Sequence, residues 1–240
     1  LSEILLNPDE GLNQFVIDVP SFILKIFQNK KIGDIFDCIT GISTGNDKKY
    51  LSKNKKNGYG VPFYKNPGSR KFYTTPDAYL IDSFLEEDKK VKDFMVRNKK
   101  FLFCKGITCS SMGVPFSACY LPEGATFGVN PNIFCSEDDL YWLISYLNSS
   151  LVTYIVRGVL IRSNMITSGY VSKIPVINFP KEIKNKLSKI SKQAICEKVT
   201  NGELQPFINQ IDNFIFSYID IKEEDVLMIK NFSKNIIRKT

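Results

Sequence analysis

Ten consecutive residues hold the densest run of ligand-binding chemistry in the chain: Gly41-Ile42-Ser43-Thr44-Gly45-Asn46-Asp47-Lys48-Lys49-Tyr50. The two glycines allow something else to approach the backbone closely. Ser43, Thr44 and Asn46 are small hydrogen-bonding groups, and Lys48 and Lys49 are charges suited to an anion. A second loop, Arg157 to Tyr170, carries Arg157, Arg162, Ser163, Asn164, Thr167 and Tyr170 without an acid. Arg and Asn can grip guanine and adenine edges with two hydrogen bonds, each pair discriminating by roughly 1–3 kcal/mol. A third candidate, Lys105 to Ser111, offers Lys105, Thr108, Ser110 and Ser111. A plain surface turn has the same composition as any one of these, so their meaning depends on the charge around them.

That charge is segregated. Lys and Arg number 32 against 25 Asp and Glu, a net of +7. Between Lys48 and Pro76 there is no acid but there are eight bases: Lys48, Lys49, Lys53, Lys55, Lys56, Lys65, Arg70 and Lys71. Between Leu140 and Pro180 there is again no acid, with Arg157, Arg162 and Lys173 present. The expectation is that both stretches fold into one positive cleft facing a polyanion, with Lys53, Lys55, Lys56, Arg70 and Lys71 on phosphates. A solvated lysine loop with no partner is the alternative for the first stretch.

Much chemistry is excluded. With no histidine, neither Ser-His-Asp nor Cys-His catalysis nor a His-based metal site can be built. The six cysteines form no Cys-x-x-Cys pair and read as free thiols in apolar surroundings. No dinucleotide or phosphate-binding glycine loop is present, and neither Asn66-Pro67-Gly68 nor Asn130-Pro131-Asn132 is the Asn-Pro-Pro-aromatic turn of an adenine methyltransferase. A magnesium nuclease could be written from Pro76-Asp77 and Glu87-Asp88-Lys89, although the second half looks helical and exposed. We expect no catalytic residue, no metal and no cofactor within this chain. No apolar run reaches the ~20 residues of a membrane span, and the start lacks both Met and a signal-peptide pattern, which reads as a cytoplasmic piece of a longer protein.

The elements that would position these residues are mixed. Ser21 is placed as the cap of a short helix, and KIGDIFDCITGIST as a strand entering a glycine turn. Residues 46–76 read as short strands between Gly and Pro, and 101–111 and 115–135 as strands of one sheet. Ser136 with Asp139 opens an amphipathic helix carrying Leu140, Leu143, Ile144, Leu147, Leu151, Tyr154 and Ile155, followed by a loop and a strand ending at prolines. After Pro180 come three helices: a basic one striped by Ile183, Leu187, Ile190 and Ala194 and ended by Asn201-Gly202, a second from Leu204 to Tyr218, and a third after Asp220. The fold class expected is α+β, a mainly antiparallel twisted sheet with flanking helices. Residues 1–180 would be the recognition body and 181–240 a helical tail packed on it.

Three segments in order resemble one family. KIGDIFDCITGISTGNDKKYL is similar to the opening of target recognition domains in DNA methyltransferases and restriction enzymes. LYWLISYLNSSLVTYIVR followed by SKIPVINFP resembles their Leu-Asn-Ser helix and Ile-Pro strand, and INQIDNFIFSYIDIKEEDVLMIKNF their C-terminal helices. Together they resemble the TaqI-like C-terminal specificity domain of adenine-specific DNA methyltransferases, including fused restriction-modification enzymes, over about residues 25–235. Phe216 and Ile219 stand where that family often has Tyr or Leu. The resemblance implies a domain that binds duplex DNA, with S-adenosylmethionine and the base-flipping chemistry in an N-terminal methyltransferase domain elsewhere in the parent. A fragment of a type I specificity subunit, using the basic helix against a partner, is the alternative within restriction-modification.

Overall fold

The computed structural model describes residues 5–6, 14–15, 19–161 and 164–237. In chain order the elements are β1 (Leu5–Leu6), β2 (Gln14–Phe15), α1 (Ser21–Ile26), α2 (Ile32–Ile35), β3 (Asp37–Ile39), β4 (Ile42–Ser43), α3 (Asp47–Tyr50), β5 (Leu51–Ser52), β6 (Val61–Tyr64), β7 (Ala78–Leu80), α4 (Phe84–Lys90) and β8 (Met95–Val96). Then follow β9 (Gly106–Cys109), β10 (Ala118–Leu121), β11 (Thr126–Phe127), β12 (Asn132–Phe134), α5 (Glu137–Leu147), α6 (Ser150–Tyr154), a π-helical segment Ile155–Leu160, α7 (Ser168–Val171), α8 (Lys181–Cys196), α9 (Leu204–Ile219) and α10 (Glu223–Ile237). The class is α+β, as the sequence suggests.

The strands form two main sheets rather than one. The first has the order β10-β9-β12-β3 and is antiparallel throughout; the second has the order β11-β6-β7-β5 with one parallel pair, β11 on β6. Short pairs β1-β2 and β4-β8 complete the set. Side chains alternate across a strand, so the first sheet serves two cores. Ile107, Cys109, Ala118 and Ile133 join the core beneath the helices, while Leu121 and Phe134 join the smaller core of the second sheet with Phe63, Leu80 and Phe127. Burial on both faces is why 101–135 is rich in apolar residues without clean alternation.

The helices follow their patterns with informative exceptions. Ser136 caps α5 as expected, its Oγ accepting from Asp139 N at 3.3 Å. The long amphipathic run breaks at Asn148, because Ser149 caps a second helix by accepting from Val152 N. Ser21 does not cap α1; Pro20 holds that position without a side-chain bond. Residues 32–35 are a helical turn ahead of the strand, and the stretch before Pro180 forms only an isolated bridge, Pro175 with Lys31, in place of the expected strand. Helix α8 ends at Cys196, ahead of the expected stop at Asn201-Gly202. Leu187, Ile190 and Ala194 of α8, and Phe207, Ile211 and Ile215 of α9, are buried in the same core as α5. No single helix among the described residues is long and apolar enough to cross a membrane, and the apolar pair 137–147 and 150–160 is bent by 66°.

One buried side chain ties these layers together. Asn148 accepts from Ala118 N at 3.0 Å and donates to Ala118 O at 2.7 Å and Ile144 O at 3.0 Å, so its amide mimics a strand residue beside β10. Ser150 N, two residues on, donates to Asp212 Oδ1 of α9 at 2.9 Å. An alanine at 148 leaves the buried Ala118 N–H without that partner, at about 1–3 kcal/mol, and removes one of the two bonds to Ala118 O, which keeps Phe72 N. We expect Asn148→Ala to destabilise the fold by about 2–4 kcal/mol, read as a lowered urea midpoint with unchanged slope.

Candidate nucleic-acid interface

The candidate surface is built outward from Asn66. Its Oδ1 accepts from Gly68 N at 3.1 Å and from Ser111 N at 3.2 Å. Ser111 O in turn accepts from Ile166 N at 2.7 Å, and Met112 forms a bridge with Met165. Three loops far apart in sequence, 64–71, 110–117 and 164–167, are thereby held edge to edge. On the other side Asp77 Oδ2 accepts from Lys65 N and Asn66 N, and Lys65 pairs with Asp47 at the start of α3. Burial alone would raise the Asp47 pKa, but hydrogen bonds from Lys65 and Thr44 win and lower it. The Ser43–Asn46 loop is in this way joined to the same surface across a groove of about 370 Å³ lined by Ser43, Thr44, Lys65 and Val129.

What this surface presents is polar with apolar points. Asn46, Lys48, Lys53, Lys55, Lys56, Asn164 and Thr167 are exposed. Met112 and Met165 are 51% and 57% exposed, side by side. Apolar side chains among hydrogen-bonding groups suit base edges, where the thymine methyl is an apolar contact. Lys56 lies 4.9 Å from the Tyr59 ring centroid, which steadies part of the lysine loop.

Several expected contacts are placed differently. Lys71 is 3% exposed, its Nζ donating to Phe116 O at 2.9 Å and Asn148 O at 2.8 Å. It cannot reach a phosphate. Tyr50 is 2% exposed and packs edge-on to Phe94, while Lys49 Nζ donates to its hydroxyl, which raises the Lys49 pKa. Ser110 is buried, its Oγ accepting from Ser117 N. Gly41 and Gly45 serve the fold rather than a ligand. A β-carbon on Gly41 would meet Phe127 O at 2.1 Å, and Gly45 has φ +63° against Asp93. Asn46 caps α3, accepting from Lys49 N.

The remaining candidates divide. Lys105 is paired with Glu137, which raises its pKa. Arg70 is exposed, with Nε on Pro67 O and Nη2 3.6 Å from Asp77 Oδ1. Arg157 lies half-buried in the π-helical segment, where burial lowers its guanidinium pKa. Tyr170 is half-buried on α7. Arg162 and Ser163 lie outside the described residues.

The single positive cleft is therefore corrected. Most of 140–160 is core helix, acid-free because it is buried; of the 140–180 stretch, residues 165 and 166 bond to the 110–117 loop, which Asn66 joins to the first stretch. Sequence reasoning missed Asn66 and the two methionines. Met112-Gly113 beside Pro115 was the available signal of an exposed turn.

The nuclease string is also dispersed in use. Asp77 is held by the 65–66 turn and Arg70, whereas Asp88 accepts from Val96 N at 2.6 Å and pairs with Lys99. Among the described residues no group of three or more Cys, Asp or Glu is arranged to hold a metal ion.

The titration of Lys71 gives a test of its burial. Desolvation lowers its pKa from the ordinary 10.5 to about 8, against the opposing pull of the Asp212 carboxylate. Between those two values the unfolded chain holds the extra proton, so this group makes stability rise with pH there. We expect the stability difference between the unaltered chain and Lys71→Met to change from pH 7.5 to pH 10 in favour of the unaltered chain, measured by urea melts.

No known family model and no curated protein matches the sequence. Among solved structures the chain is similar to an HsdS subunit from Thermoanaerobacter tengcongensis, with 15% sequence identity and a TM-score of 0.35. The match covers 99% of this chain and 48% of that one, so the chain spans about half the length of that subunit. A likeness of this size assigns no family.

Proposed function

We propose that this chain reads a specific sequence in duplex DNA as the recognition domain of a restriction-modification system. The observation that supports it most is the Asn66 clasp. It gathers three loops of hydrogen-bonding and basic side chains, with the exposed Met112–Met165 pair among them, and Lys65 joins them to Asp47 of α3, next to Lys48. Phosphates would be held by Lys48, Lys53, Lys55 and Lys56, which set orientation. Base edges would be read by Asn164, Thr167 and Ser43, with the methionines against apolar base atoms. The three segments that resemble specificity domains support the same reading.

The parent's chemistry is a finer part of the proposal. In a TaqI-like parent, an adenine-specific methyltransferase domain carrying S-adenosylmethionine would flip and methylate the target base that this domain positions. In a type I specificity subunit the same surface would read one half of a divided site. Either parent would work in the cytoplasm on the cell's own DNA.

Binding should be strongly salt-dependent. Four to six neutralised phosphates give a slope of about −4 to −5 in log affinity against log salt. Lys55→Glu is expected to weaken all duplexes alike and flatten that slope by about one. Met165→Ala should leave a random duplex unaffected while reducing the preference for the selected sequence. A flat salt response in fluorescence anisotropy, or identical behaviour of the two variants, would remove this reading.

A further inference from the structure

Helix α8 closes in an unusual way. Lys198 N bonds Ile195 O and Val199 N bonds Ala194 O, both at 3.1 Å, the closing bonds of a helix C-terminus. The residue making that turn, Lys198, has φ +49°, a left-handed conformation that favours glycine because a β-carbon crowds the following carbonyl. Gly202 stands four residues too late to serve. The strained turn carries the Lys198 ammonium to 5.9 Å from the ring centroid of Tyr73, over the body of the protein.

Arg70 lines the same groove as Lys198. The two cations line a groove of about 420 Å³ together with Tyr73, Thr75 and Thr200, and no carboxylate is among the lining residues. Two acids bond to lining residues from outside the groove: Asp77, which holds the 65–66 backbone, lies 3.6 Å from the Arg70 guanidinium, and Glu203 accepts from Thr200 N and Oγ1. A guanidinium and an ammonium facing one groove, rimmed by hydroxyls, match the fork-and-point pattern that holds a phosphate.

We propose that this groove seats one phosphate of the DNA backbone, extending the footprint from the recognition loops onto the C-terminal helices. Resting on the duplex-DNA reading above, it assigns Lys198 and Arg70 as the residues that hold that phosphate. A left-handed lysine persists because its side chain is needed where the turn aims it.

The test uses a turn position where stability and binding should part. In the 240-residue chain, Lys198→Gly relieves the backbone, so its melting temperature should stay equal or rise. Its affinity for a random-sequence 20-base-pair DNA duplex at low salt should fall about 3- to 10-fold, with the salt slope reduced by about 0.9. Lys198→Arg should restore the affinity. If Lys198→Gly binds as the unaltered chain does while Lys55→Glu binds weakly, the seat is wrong and the functional reading stands. If the unaltered chain binds no duplex, both fall. Equal binding of a matched RNA duplex through Lys198 would also overturn a DNA-backbone seat.

Discussion

The structure depends on a buried polar clasp in which Lys71, Asn148 and Asp212 take part. Lys71 comes from the basic stretch, Asn148 from the break between α5 and α6, and Asp212 from the middle of α9. Lys71 satisfies the carbonyls of Phe116 and Asn148, Asn148 completes the backbone of Ala118, and Asp212 receives the first N–H of α6. Burying such groups is costly unless each finds a partner. Here satisfaction requires strand, helix break and C-terminal helix to be present together. Burial raises the Asp212 pKa and lowers that of Lys71, so desolvation opposes both charges at once. The geometry is specified by hydrogen bonding more than by ion pairing.

This clasp gives three segments of the sequence a structural role. The Leu-Asn-Ser run supplies Asn148 as a surrogate strand and Ser149 as a cap; the Ile-Asp run supplies Asp212 as a second anchor. Gly41 and Gly45 fit against Phe127 and Asp93. These segments build the frame. The polar surface is left to loops that touch the frame through few bonds, such as those of Asn66 and Ser111. Variation in those loops need not disturb the core.

Periodicity made the helices legible. The stripe of α8, the cap at Ser136 and the run in α9 all follow from spacing, since each buries one face on the shared core. The sheets were harder. Strands buried on both sides lose alternation, and β11 joins a different sheet from its sequence neighbours β10 and β12. Charge was the least reliable guide at single positions. Lys71 resembles the lysines around it in type but lies beneath Phe116 and Asn148, because a long side chain can be aimed inward by the strand register of its neighbour Phe72 on Cys119. The acid-free 140–160 run mirrored burial, not electrostatics. The role of Asn66 was unreadable because Ser111, the partner that joins it to another loop, lies 45 residues downstream.

Strand β10 lies at the outer end of its sheet, a place where unpaired amides ordinarily invite another polypeptide to add itself. Here Ala118 is saturated by the Asn148 amide, and Phe72 occupies the neighbouring slots by donating to Ala118 O and accepting from Tyr120 N. The chain has thus closed its own border with a side chain and a single bridging residue. An incoming strand would find the Ala118 N–H and C=O and the Tyr120 N–H already bonded at that margin, without a charged or proline residue spent on the strand.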